Sequence, residues 1–115
     1  MSRGIQDLEK SLASVAESVG ASTVGIGGRR SSGSGLVIGK GQVLTNAHNL
    51  SSSEVSVTFA DGRSETASAL GTDVDQDVAV IGVDTQGVAA PTWGKPDELG
   101  IGSFVVAVSN PGGRG

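Results

Sequence analysis

Two side chains stand out for the chemistry they can do. His48 is the chain's one histidine and closes the run Thr45-Asn46-Ala47-His48. Imidazole titrates nearer neutral pH than any other unperturbed side chain, so His48 is the default candidate for proton transfer. A lone histidine has a plainer reading too, as a surface group or a satisfied core residue, and spacing alone leaves both open. Asp77 stands where a polar turn enters Val78-Ala79-Val80-Ile81-Gly82-Val83, a run apolar on both faces. A carboxylate at such an entry is expected to be partly buried and to need a donor, and a histidine ring N–H is one. A histidine oriented by a buried aspartate is two thirds of a Ser-His-Asp arrangement, in which the carboxylate selects the tautomer and stabilises the imidazolium.

Other chemistries are weaker. Asp73, Asp75 and Asp77 alternate, and Asp84 is twelfth counting from Asp73. A calcium loop of that length needs glycine at its sixth position, where Val78 stands. Asp73 and Asp75 therefore read as surface acids. With no cysteine in the chain, disulfides, thiolate metal sites and a cysteine nucleophile are excluded together. No metal and no cofactor is expected.

The elements that must position His48 and Asp77 can be read from the hydrophobic pattern. The chain has 115 residues, enough for one domain with one modest core. Glycine accounts for 19 of them, well above a usual share of about 7%, and no Gly-X-Y period is present. Glycines scattered between short valine-rich runs indicate many tight turns, hence a mostly β protein. Aromatics are 3%, so the core must be built of Val, Ile, Leu and Ala. The net charge of −4, with scattered basic residues, gives no nucleic-acid footprint. No apolar run reaches the length of a membrane span, and no secretory signal pattern precedes the first charged segment.

In chain order, Ile5, Leu8, Leu12, Val15 and Val19 recur at helical spacing, with Asp7, Glu9, Lys10 and Glu17 opposite. This is an amphipathic helix of roughly four turns, with Ser2 as N-cap and Gly20 as stop, expected to cover an open end of the domain. Ser22–Gly28 is a weak strand and Gly27–Gly33 a polar loop. Leu36–Ile38 and Val43–Leu44, separated by Gly39-Lys40-Gly41, form a hairpin. Val55, Val57 and Phe59 alternate with polar residues in a half-buried strand, and Asp61-Gly62 turns it into a return strand over Arg63–Leu70. Asp77–Val83 is a strand buried on both sides or curled inside a barrel. Thr85–Asp97 is a connecting loop carrying Trp93, Ser103–Val108 is a last strand, and Asn110–Gly115 starts a linker. The domain expectation is a helix over 1–20, a β-barrel over 21–109 and a linker over 110–115, with about six strands in all.

These motifs carry a resemblance. TNAH after a hairpin that opens with GSG, then DVAV from Asp77, then ELGIGSFVVAVSNP, resembles the first half of a trypsin-like serine protease of the cysteine-free bacterial HtrA/Deg-like branch. The resemblance implies an all-β fold, a six-stranded antiparallel Greek-key barrel with one N-terminal α-helix. It also implies His48 as general base and later general acid, Asp77 as its orienting partner, and an extracytoplasmic setting.

The departure from the family is equally plain. The family's nucleophile lies in a GxSGG segment of a second barrel, and no GxSGG occurs here. Ser34, in Gly33-Ser34-Gly35, is structural in the family, and Ser103 and Ser109 lack the flanking glycines. The chain is thus expected to be the His–Asp half of a serine endopeptidase, inactive alone. It would meet protein or peptide substrates through the complete enzyme, with a second barrel as partner and self-association as a further expectation. Two alternatives stay open: a free-standing barrel for binding or assembly, and an unrelated barrel whose His48 and Asp77 lie far apart.

Overall fold

The computed structural model describes residues 3–27, 32–50 and 54–110. Helix α1 (Arg3–Gly20) is followed by β1 (Thr23–Gly27), β2 (Ser32–Gly39), β3 (Gln42–Thr45), β4 (Glu54–Thr58), β5 (Ser64–Asp73) and β6 (Val78–Gly82). Every strand pair is antiparallel, and the strands close a barrel in the order β1-β2-β3-β6-β5-β4. The crossing from β3 to β6 brings together segments far apart in sequence, as a Greek-key connection does.

Apolar side chains at alternate positions of β1, β4 and β6 point into the barrel, as the two-residue period of a strand requires. Val24 and Ile26, Val55 and Val57, and Ala79 and Ile81 are buried on this rule. Phe59 is the one aromatic ring in the core, and the Arg63 guanidinium stacks on it at 3.9 Å from the ring centroid. The β2–β3 turn works because Gly41 adopts φ +76, a conformation that is costly for any residue with a Cβ. Its N–H donates to the buried Thr85 hydroxyl at 3.1 Å, which ties the loop after β6 to the hairpin.

Two expectations need correction. Residues 103–108 form no strand: Phe104 is 76% and Val105 79% exposed, and the segment joins no ladder. The reason is topological, since β1 pairs with β4 as well as β2 and leaves the barrel no edge for a seventh strand. Of the two readings of the run 77–83, the structure takes the one curled inside a barrel: Ala79 and Ile81 are buried while Val78 is 39% exposed. Helix α1 does not cover an open end of the barrel, and none of its residues is buried. Its contact with the barrel is at its C-terminal end, where the Val19 carbonyl accepts from the Ser22 N–H (3.0 Å) and the Thr23 hydroxyl (2.8 Å).

The return strand runs further than its weak pattern suggested, from Ser64 to Asp73, because β6 pairs with its second half. The Ser2 cap, the centre of the 27–33 loop and the linker beyond Asn110 lie outside the described residues. No helix among the described residues is long and apolar enough to cross a membrane.

Candidate active site

The site grows from the end of β3. Thr45 is buried, and its hydroxyl donates to the Ser34 carbonyl of β2 at 2.9 Å. The buried Asn49 amide donates in turn to the Thr45 oxygen at 3.1 Å. Between these anchors the chain makes one 3-10 turn, Ala47–Asn49, closed by Asn49 N–H to Asn46 O and Leu50 N–H to Ala47 O, each 3.0 Å. With Thr45 and Asn49 pinned inward, the turn throws His48 outward, and its side chain is 69% exposed.

Asp77 arrives from the other side. It ends the turn that follows β5, where its N–H donates to the Val74 carbonyl at 3.2 Å, and it holds φ 57. The left-handed region is uncommon for a residue with a Cβ, though Asp and Asn tolerate it best. Pairing of Thr45 with Ala79 across β3 and β6 then sets residues 46–48 beside Asp77.

Three hydrogen bonds join the two segments. The His48 backbone N–H donates to Asp77 Oδ1 at 2.8 Å. His48 Nδ1 lies 2.5 Å from Asp77 Oδ2, and the Asn46 amide donates to the Asp77 carbonyl at 3.0 Å. The His48 backbone N–H first, and its ring second, hold the Asp77 carboxyl below its ordinary range. Asp77 is therefore ionised at neutral pH and can only accept. In the neutral imidazole Nδ1 then carries the ring proton, and Nε2 keeps its lone pair. Chemically, such an arrangement can serve as a base whose tautomer is set from behind by a carboxylate.

Ser34, Ser103, Asp73 and Asp84 are engaged elsewhere. Ser34 Oγ accepts from the Asn110 N–H at 2.7 Å, and Ser103 Oγ from the Gly100 N–H at 3.0 Å. Asp73 and Asp84 cap their own turns, accepting from the backbone N–H of Gln76 and Gln86. No group of three His, Cys, Asp or Glu among the described residues is placed to hold a metal. An apolar groove of about 420 Å3, lined by Leu36, Leu44, Val78, Val106 and Val108, runs beside Asn46. Sequence reasoning had no means of finding the roles of Asn46 and Asn49. Their types are ordinary for a turn, and only the β3–β6 pairing shows what their amides face.

The chain has relatives among known proteins. Residues 33–115 match the trypsin-like peptidase domain. The chain is 39% identical over 87 residues to a probable periplasmic serine endoprotease, DegP-like, of Halomonas elongata, a match covering 74% of this chain and 18% of that protein. It is 41% identical over 85 residues to the putative serine protease HhoA of Synechocystis, covering 70% of this chain and 22% of the relative. Among solved structures, the HtrA-type protease AlgW with tripeptide superposes with a TM-score of 0.68 at 26% identity, over 75% of this chain and 30% of that one. The serine endoprotease of Yersinia pestis does so with a TM-score of 0.64 at 26% identity, over 67% and 30%. The chain thus spans about a fifth of the length of these curated relatives and about a third of the solved chains. By its sequence and its closed six-stranded barrel, the chain belongs to the trypsin-like peptidase domain family, with relatives among the HtrA/Deg proteases.

Proposed function

We propose that the chain supplies the histidine–aspartate half of a Ser-His-Asp peptide hydrolase, with His48 as general base and Asp77 as its orienting partner. The observation that carries the reading is the double grip on the Asp77 carboxylate, one oxygen on the His48 backbone N–H and the other on Nδ1. In that state Nε2 accepts the proton of a serine hydroxyl as the oxygen attacks a scissile carbonyl. It later returns the proton to the leaving amine, while Asp77 stays ionised and stabilises the imidazolium.

The nucleophile and the oxyanion donors are not supplied by a GxSGG segment of this sequence. They are assigned to a second barrel acting as partner, and the chain alone is not expected to cleave peptides. Relatives named as periplasmic serine endoproteases support protein substrates and an extracytoplasmic setting for the complete enzyme. A second reading, a barrel used for assembly, is favoured by the open apolar side of α1 and the exposed Phe104 and Val105.

Two measurements test the proposal. A low-field ring-proton resonance from His48 Nδ1–H, lost in Asp77→Ala, is expected by proton NMR, and its absence from the wild type would refute the pair. Incubation with unfolded casein should give no cleavage. Cleavage abolished by His48→Ala would reveal a nucleophile within the chain and overturn the half-site assignment.

A further inference from the structure

We infer that Asn46 is a positioning residue for the His48–Asp77 pair, its side-chain amide holding the Asp77 peptide in the orientation that turns the carboxylate onto the imidazole. The inference rests on the proposed role of that pair and adds to it a residue that touches no reacting atom.

Asp77 sits at φ 57, a conformation strained for a residue with a Cβ that persists only where the surroundings impose it. Contacts on both sides of Asp77 impose it. On the turn side, the Asp77 N–H is held by the Val74 carbonyl at 3.2 Å. On the strand side, Val78 enters the β5–β6 ladder opposite Asp73. The peptide between Asp77 and Val78 takes a third contact from the Asn46 amide, which bonds its carbonyl at 3.0 Å. Because the carbonyl can only accept, the NH2 end of Asn46 must face it.

Both ends of Asp77 are thereby gripped by one three-residue stretch, the carbonyl by Asn46 and the carboxylate by His48. Asn46 itself is exposed, and so is the bond it makes. Water can replace that bond, so its loss should change stability little. Water does not fix the direction of the carbonyl, however. Once the peptide rotates, the carboxylate turns with the same backbone, and the short Nδ1 contact is the first to lengthen. A structural role and a positioning role therefore separate cleanly: the first moves the melting temperature, the second the tautomer of His48.

The experiment is 15N NMR of the His48 ring in the full chain at a pH where the ring is neutral, with a thermal melt of each variant. Wild type is expected to hold the Nδ1–H tautomer. Asn46→Ala is expected to melt close to wild type while the ratio of Nδ1–H to Nε2–H falls roughly fivefold, the effect of one hydrogen bond of ordinary net strength. Asn46→Gln keeps a donor within reach and should restore much of the ratio. Asn46→Asp, nearly the same shape but an acceptor facing a carbonyl, should lose it, and it serves as the reading if the alanine variant fails to fold. A tautomer equally locked in wild type, Asn46→Ala and Asn46→Asp overturns this inference and leaves the pair standing. A ring that is not locked in wild type overturns the pair, and this inference with it.

Discussion

Gly33→Ala should be among the most damaging single-methyl additions to this chain, and the reason lies in the turn that carries His48. A Cβ built on Gly33 falls 2.5 Å from both Asn49 Nδ2 and Oδ1 and 2.6 Å from its Cγ. Gly33 is not in the left-handed region, so the cost comes from space and not from backbone strain. Asn49 cannot swing aside freely, because it is buried and its amide is bonded to Thr45. Overpacking of this kind costs about 1–3 kcal/mol, and the displaced hydrogen bond adds about 0.5–1.5. Stiffening of the unfolded chain returns about 0.4–1 kcal/mol. Mid-range values leave a net loss of about 2 kcal/mol, a fall of about 8–16 °C in Tm for a domain near this size. Circular dichroism melts read it, and Asn49→Ala in the Gly33→Ala background should recover part of the loss, since contacting residues couple. A Gly33→Ala variant that melts within ~3 °C of wild type, below the shift expected of 1 kcal/mol, would refute the reasoning. So would a double variant no more stable than Gly33→Ala alone.

Further predictions concern the core, the acid response and assembly. Phe59→Ala removes the one core ring and the surface on which Arg63 stacks, and should cost about 3–5 kcal/mol by denaturant unfolding; a loss under ~1 kcal/mol would mean the barrel end collapses to fill the space. The Asp77 carboxyl is depressed below its ordinary 3.8 in the folded state, so its contribution to stability is present above that value and disappears as pH falls through the folded-state pKa. The stability difference between wild type and Asp77→Asn should therefore hold steady near neutral pH and close in strong acid, and a difference unchanged throughout the acid range contradicts the depressed pKa. On assembly, Leu8 and Leu12 are half-buried on a helix with no buried residue, and Val15 is 42% exposed. Self-association through this side is expected in sedimentation equilibrium and should weaken in Leu8→Glu/Leu12→Glu; a monomer mass over a hundredfold concentration range rejects it.

Much of the barrel is legible in the sequence. The alternation of Val55, Val57 and Phe59, and the glycines of the β2–β3 turn, announce strands and a hairpin, because side-chain period and turn chemistry are local properties. His48 and Asp77 were recognisable by type and by the motifs around them. Tertiary structure decided which strands are neighbours. Periodicity reports that a strand has a buried face, but not what lies beside it, so the apolar run at 103–108 read as a strand although closure of β1 on β4 leaves it no edge. The same limit applies to the helical stripe of Ile5, Leu8, Leu12 and Val15, which specifies a helix with one apolar side and not what covers that side. The grip of His48 and Asn46 on Asp77 is likewise tertiary. It arises from the β3–β6 register and from a left-handed residue at the head of β6, and neither is encoded in the residues on either side of His48 alone.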